Sequence, residues 1–209
     1  MTTREVGKMA ADKRMAPLGG HGKLDLEDLL PRLSLAGLVP IEGVRELSQL
    51  YQAVRSAKER PHALVWLAER RGSIADAEHL TLDKLMRWLA SEVGLPYFNI
   101  DPLKIDVEAV TSVVSIAYAS RYRILPVAVD AATVTFATAE PFVREWEQEL
   151  SHVLKREVRR VIANPVDIVR YQDELFGVSH SIRKANKASA DAAQVTLNNV
   201  EALVELGQA

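Results

Sequence analysis

The feature that most constrains this chain is a change of period at Gly94-Leu95-Pro96. Before it, apolar residues recur at helical spacing. After it come two runs of branched residues at hairpin spacing. A chain written this way is α+β: a small helical subdomain over 25–95, then a small mixed α/β subdomain over 96–177. Residues 1–24 read as a flexible arm, and 178–209 as a linker with one more short helix near its end.

In the first half, Leu26, Leu29, Leu30 and Leu33 form a stripe that Asp25 is placed to cap. Pro31 predicts that this helix kinks or ends early. Val44, Leu47, Tyr51 and Val54 make a second stripe. Pro61 opens a third helix through Trp66 and Leu67, with Gly72 as its stop. Thr81 caps a fourth, whose Leu82, Leu85, Met86, Leu89 and Val93 give the clearest amphipathic face, ended by Gly94 and Pro96.

The second half reads βααββαβα. Tyr97 to Ile100 is a short strand, Asp106 caps a helix through Val113, and Ile116 to Tyr122 makes another. Ile124 to Val129 and Thr133 to Thr138 form a hairpin around Asp130-Ala131-Ala132. Pro141 opens a helix with Val143, Trp146, Leu150 and Leu154 inward, and Glu157 to Ala163 returns as a strand. Asn164-Pro165 starts a last helix that Gly177 closes.

The chemistry-bearing patterns are thin. Gly19-Gly20-His21-Gly22-Lys23 lacks phosphate-loop spacing: Pro17 stands where the first glycine belongs, and Leu24 where Ser or Thr should follow the lysine. The five histidines, His21, His62, His79, His152 and His180, are dispersed and read as surface or tip positions, with no pair on one helix face to hold a metal. Asp101, Asp106 and Glu108 read as capping and solvated groups. The run from Glu145 to Glu149 reads as the wet side of a helix whose Trp146 is buried. Lys155, Arg156, Arg159 and Arg160 form the one dense basic cluster. No aromatic residues interleave it to stack bases, so a salt-bridged sheet edge is expected rather than a nucleic-acid surface. A net charge of −2 gives no global drive toward nucleic acid or anionic membrane. With no cysteine there is no disulfide framework, and a reducing compartment is the simplest fit.

Several spaced segments together resemble the N-terminal region of the traffic ATPases that drive type II secretion and type IV pilus assembly. They are Gly94-Leu95-Pro96-Tyr97, Leu125-Pro126, Asp130, Val134, Ala137 and Pro141, with Leu175-Phe176-Gly177 at the exit. The resemblance covers about residues 26–177. It implies a non-catalytic piece of a longer ATPase, cytoplasmic at the inner face of the bacterial inner membrane. ATP and Mg would be needed only in a motor domain beyond this chain, and hexamers would form only in that context.

What the resemblance implies about function is a protein-interaction and regulatory module. It would dock the motor to the cytoplasmic domain of an inner-membrane platform protein or to a PilZ-type adaptor, and take no nucleic acid. The expected surface is an apolar patch on a helix of the first subdomain, with Leu47, Tyr51 and Trp66 as candidate anchors, weighed against burial of each in that subdomain's own core. The alternative is a cyclic di-GMP sensor with a degenerate motif. Relatives that bind this ligand carry tandem motifs opening Arg-Leu-Gly and closing on a glutamine. Here Asp28-Leu29-Leu30 and Ala63-Leu64-Val65 stand at the openings, and Tyr51 and Glu92 at the closings. An aspartate beside a dianionic ligand repels it.

Overall fold

A computed structural model describes residues 18, 22–55, 60–70, 80–182 and 184–185. The expected arm over 1–17, the Gly72 stop, His21, His79 and the terminal helix near 200–206 lie outside the described residues.

The first half is four helices: α1 (Leu26–Leu35), α2 (Ile41–Arg55), α3 (Ala63–Glu69) and α4 (Leu82–Val93). Asp25 caps α1 by accepting the Glu27 amide at 3.1 Å. Leu26, Leu29, Leu30 and Leu33 are fully inside. Pro31 does not end the helix as expected, for α1 runs on to Leu35. A proline here forfeits one backbone hydrogen bond, while each buried leucine contributes roughly 1.5–3 kcal/mol. α1 packs on α2 and α3 on α4. Thr81 caps α4 through the Lys84 amide.

Both α1 and α4 finish in the same way. After α1 the Leu38 amide returns to the Leu33 carbonyl at 2.8 Å and the Gly37 amide to Ser34 at 3.0 Å. After α4 the Leu95 amide reaches Ala90 at 3.0 Å and Gly94 reaches Ser91 at 3.3 Å. This double closure needs a left-handed residue, and φ is +69° at Gly37 and +67° at Gly94. A Cβ on Gly94 would meet nothing within 4 Å, so backbone strain is its whole cost. Gly94→Ala is expected to lose roughly 1–2 kcal/mol, read as a lower urea midpoint at unchanged slope. Gly94→Asn should lose less, and equal losses would contradict the assignment.

The second half opens differently from expectation. Tyr97 to Ile100 is not a strand but a single parallel bridge, Tyr97 to Ile162. The Phe98 amide donates to the Ile162 carbonyl at 2.7 Å, and the Ile162 amide to Pro96 at 2.8 Å. Pro96 has no amide to extend the ladder, and Asp101 caps a 3₁₀ turn, Pro102–Lys104, that turns the chain away. Helices α5 (Val107–Val113) and α6 (Ile116–Tyr122) follow, capped by Asp106 and Ser115.

The sheet has the order β1-β2-β3, with β1 (Ile124–Val129) antiparallel to β2 (Thr133–Thr138) and β2 parallel to β3 (Glu157–Ile162). Pairing skips Val127, so a bulge follows Pro126 on the outer strand, where a missing amide costs least. The parallel pair is joined by α7 (Glu145–Leu154). Pro141 does not open this helix. It lies buried in the turn before it, and Arg144 is the capping residue without a side-chain cap bond. Asn164 caps the last helix, α8 (165–182), by accepting the Val166 amide at 2.9 Å. Gly177 does not close α8, which continues through it to 182.

The larger core draws on both halves, from Leu24 and the α1–α4 leucines to Leu125, Ala137, Ile162 and Leu175. A smaller core lies between the sheet and α7, around Phe136, Trp146 and Leu150. Leu24, placed in the arm by its sequence, belongs to the larger core.

Candidate interaction surface

Leu47, Tyr51 and Trp66 are all buried, which corrects the expectation that they face a partner. The Tyr51 and Trp66 rings meet edge to face at 5.2 Å, and the Arg70 guanidinium sits 4.0 Å above the indole. The Tyr51 hydroxyl and Trp66 Nε1 find no hydrogen-bond partner among the described residues, so packing holds the pair. Burial raises the Tyr51 phenol above its ordinary range. Their aromatic size made them look like anchors, but the same size makes them core.

The exposed apolar groups of this half lie where the α1 and α2 stripes leave them. Leu35 is half a turn away from the α1 leucine stripe and is 76% exposed; Ile41, the first residue of α2, is 69% exposed. Ala36 and Gly37 between them are exposed too. The charged groups beside these residues in the chain are exposed Glu42, Arg45 and Glu46 on α2 and half-buried Arg32, paired with Glu92, in the last turn of α1. The corner is therefore apolar at its tip, with Glu42 and Glu46 on its α2 side. Its signal was in the sequence as the uncharged run 33–41, which no heptad-style reading of the stripes weighs.

A concavity of about 510 Å³ lies between α5, the start of α6 and α8. Val114, Ile116 and Phe176 line it, with Asp173 and His180 on its α8 side. Thr111 Oγ1 donates to the Val107 carbonyl (2.6 Å) and lies 2.7 Å from the Ser179 hydroxyl. Gln172 pins α8 to the sheet, with Nε2 donating to the Ala119 and Ile124 carbonyls at 2.9 and 2.8 Å.

The charged groups singled out by sequence are mostly consumed by structure. Arg159 pairs with Glu157 at 2.9 Å. Arg160 pairs with Glu147 at 2.9 Å and donates to the Pro141 carbonyl at 2.7 Å. Burial pulls the Arg160 guanidinium below its ordinary range. Asp101 and Asp106 cap, as expected. Glu147 is half-buried rather than wet, and Glu149 accepts the Tyr118 hydroxyl at 2.9 Å. Tyr97 donates to Asp83 at 2.5 Å, and Arg87 holds the other carboxylate oxygen at 2.8 Å, tying α4 to the residue that bridges β3. Burial and that carboxylate push the Tyr97 phenol up. His152 and His180 are exposed, but His62 is buried, against the expectation of a surface position. Among the described residues no group of His, Cys, Asp and Glu is arranged to hold a metal. No described helix is long and apolar enough to cross a membrane.

Residues 93–182 match the MshEN domain family. The chain is 35% identical over 149 residues to the type IV pilus assembly ATPase TfpB of Acinetobacter baylyi, an alignment covering 70% of this chain and 25% of that protein. Among solved structures, MshE with cdg aligns over 73% of this chain and 99% of its own at 18% identity and a TM-score of 0.46. The N-terminal domain of XpsE aligns over 73% and 96% at 13% identity and a TM-score of 0.44. The family match spans the second half of the chain. Together with the TfpB alignment it supports a likeness of this chain to the N-terminal region of the secretion and pilus-assembly ATPases. It spans about a quarter of the length of the pilus ATPase it matches.

Proposed function

We propose that this chain is the regulatory docking module of a secretion or pilus motor, and that the corner at Leu35 and Ile41 is its contact surface. The observation that carries the reading is that corner: large aliphatic side chains held in water at the end of α1 and the start of α2, on a chain similar to part of a pilus assembly ATPase. Exposed aliphatic groups of this size on an otherwise well-packed module mark contact sites. Glu42 and Glu46 on the α2 side favour a partner that carries lysine or arginine beside its apolar patch. The partner we assign is the cytoplasmic domain of an inner-membrane platform protein. The module then works in the cytoplasm at the inner face of that membrane. ATP and Mg are handled by the motor, and this chain supplies no catalysis.

The test is calorimetry of the chain against the platform domain. Leu35→Glu and Ile41→Glu are expected to weaken binding by about tenfold or more, with melting curves unchanged because both side chains are already in water. Binding to a PilZ-type adaptor instead of the platform domain would move the partner assignment. Binding to neither by the folded module would overturn the reading. Cyclic di-GMP is titrated alongside. Asp28 at the motif's opening repels a dianion, so no heat is expected, and micromolar binding would replace docking with ligand sensing.

A further inference from the structure

The helical half and the sheet are joined at a buried polar node. His62, 5% exposed, precedes α3. Its Nδ1 accepts the Leu64 amide at 3.3 Å, and its Nε2 lies 2.9 Å from the Ala139 carbonyl, just beyond β2. Accepting through Nδ1 leaves the ring proton on Nε2, so the imidazole is neutral and donates to Ala139. The next residue, Glu140, is 4% exposed, and its Oε2 accepts the Leu24 amide at 2.7 Å. Arg60 closes the other side, donating to the Leu24 carbonyl at 2.8 Å and to Asp25 at 3.2 Å. These bonds bring residues far apart in sequence, 24, 62 and 139–140, to one point.

We propose that His62, Leu64, Glu140 and Leu24 form a proton-operated latch: neutral His62 caps the Leu64 amide and leaves Glu140 to Leu24, and the protonated ring gives up both contacts while keeping its Nε2–H bond to the Ala139 carbonyl. A proton on Nδ1 turns that atom from acceptor to donor. The Leu64 amide then loses its cap and faces another N–H. The imidazolium becomes a competitor for the Glu140 carboxylate, which in the closed state holds Leu24.

The charges facing His62 are Glu140 from the turn after β2, which favours the charged ring, and Arg60 before α3 and Arg123 before β1, which oppose it. Burial outweighs them all and holds the ring's proton affinity below its ordinary value of 6.5. A histidine depressed in the folded state contributes its stabilisation fully above 6.5 and loses it as pH falls below that value toward the folded one. The latch is therefore closed at neutral pH and opens on the acid side.

Amide hydrogen exchange on the intact chain, corrected for intrinsic chemistry, tests this at about pH 7.5 and about pH 5. The Leu24 and Leu64 amides are expected to lose about tenfold or more in protection while Phe136, in the smaller core, keeps its own. His62→Asn keeps a capping oxygen and removes the titration, so its protection at both amides should not change with pH. The His62 ring resonance of the unmodified chain must titrate below the ordinary value of 6.5, at the acid end of the interval over which protection is lost. Protection at Leu24 and Leu64 that survives to the acid limit overturns the latch. So does a uniform loss across all amides, or a ring that titrates at or above 6.5.

Discussion

Trp66→Ala is expected to remove roughly 3–5 kcal/mol of stability, a large share of the roughly 5–15 kcal/mol that holds such a fold together. Trp66 is fully enclosed and stacked edge to face on Tyr51, with Leu64 and Leu67 of the same helix also in the core. Chemical denaturation followed by circular dichroism measures the loss directly. Any reduction in partner binding by this variant should track the fraction unfolded. A variant that melted like the parent yet bound no partner would restore Trp66 as a contact residue and remove the basis for placing the contact at Leu35 and Ile41.

Trp146→Ala is expected to cost a similar roughly 3–5 kcal/mol, from the other core. Trp146 packs on Phe136 at 5.3 Å and donates its Nε1–H to the Val143 carbonyl at 2.8 Å. Because the larger core contains residues of both halves, the two tryptophan variants should each lower one shared transition. Their losses should add within roughly 0.5 kcal/mol, since the sites fall in separate clusters. Two resolved transitions in Trp146→Ala, with the helical half melting at its original midpoint, would show that the halves fold independently.

The elements legible in the sequence were those fixed by local rules. The caps at Asp25, Thr81, Asp106 and Asn164, the left-handed stop at Gly94, and the hairpin around Asp130-Ala131-Ala132 each depend on a few neighbouring residues, and the structure places them as read. The misreadings share a different cause. Pro31 and Gly177 are local breakers inside helices whose buried faces outweigh them, and Pro141 is a good helix opener placed in a buried turn instead. In each case a propensity of about 1–3 kcal/mol met tertiary packing of equal or greater size.

The contact surface was the least legible part. Leu47 and Leu35 are the same kind of residue, and only the direction of α1 and α2 relative to α3 and the sheet decides that one is buried and the other in water. His62 and Glu140 were unreadable for the same reason. Nothing in residues 62 and 140 announces that their chain segments meet, because that meeting is made by the packing of the helical half on the end of β2. By itself the sequence determined the α+β class, most helix ends and the hairpin, since these follow from hydrogen bonds and periodicity within a few residues. Tertiary structure alone decided which apolar groups face water and which titratable groups are dry, because burial is a property of how distant segments close on one another.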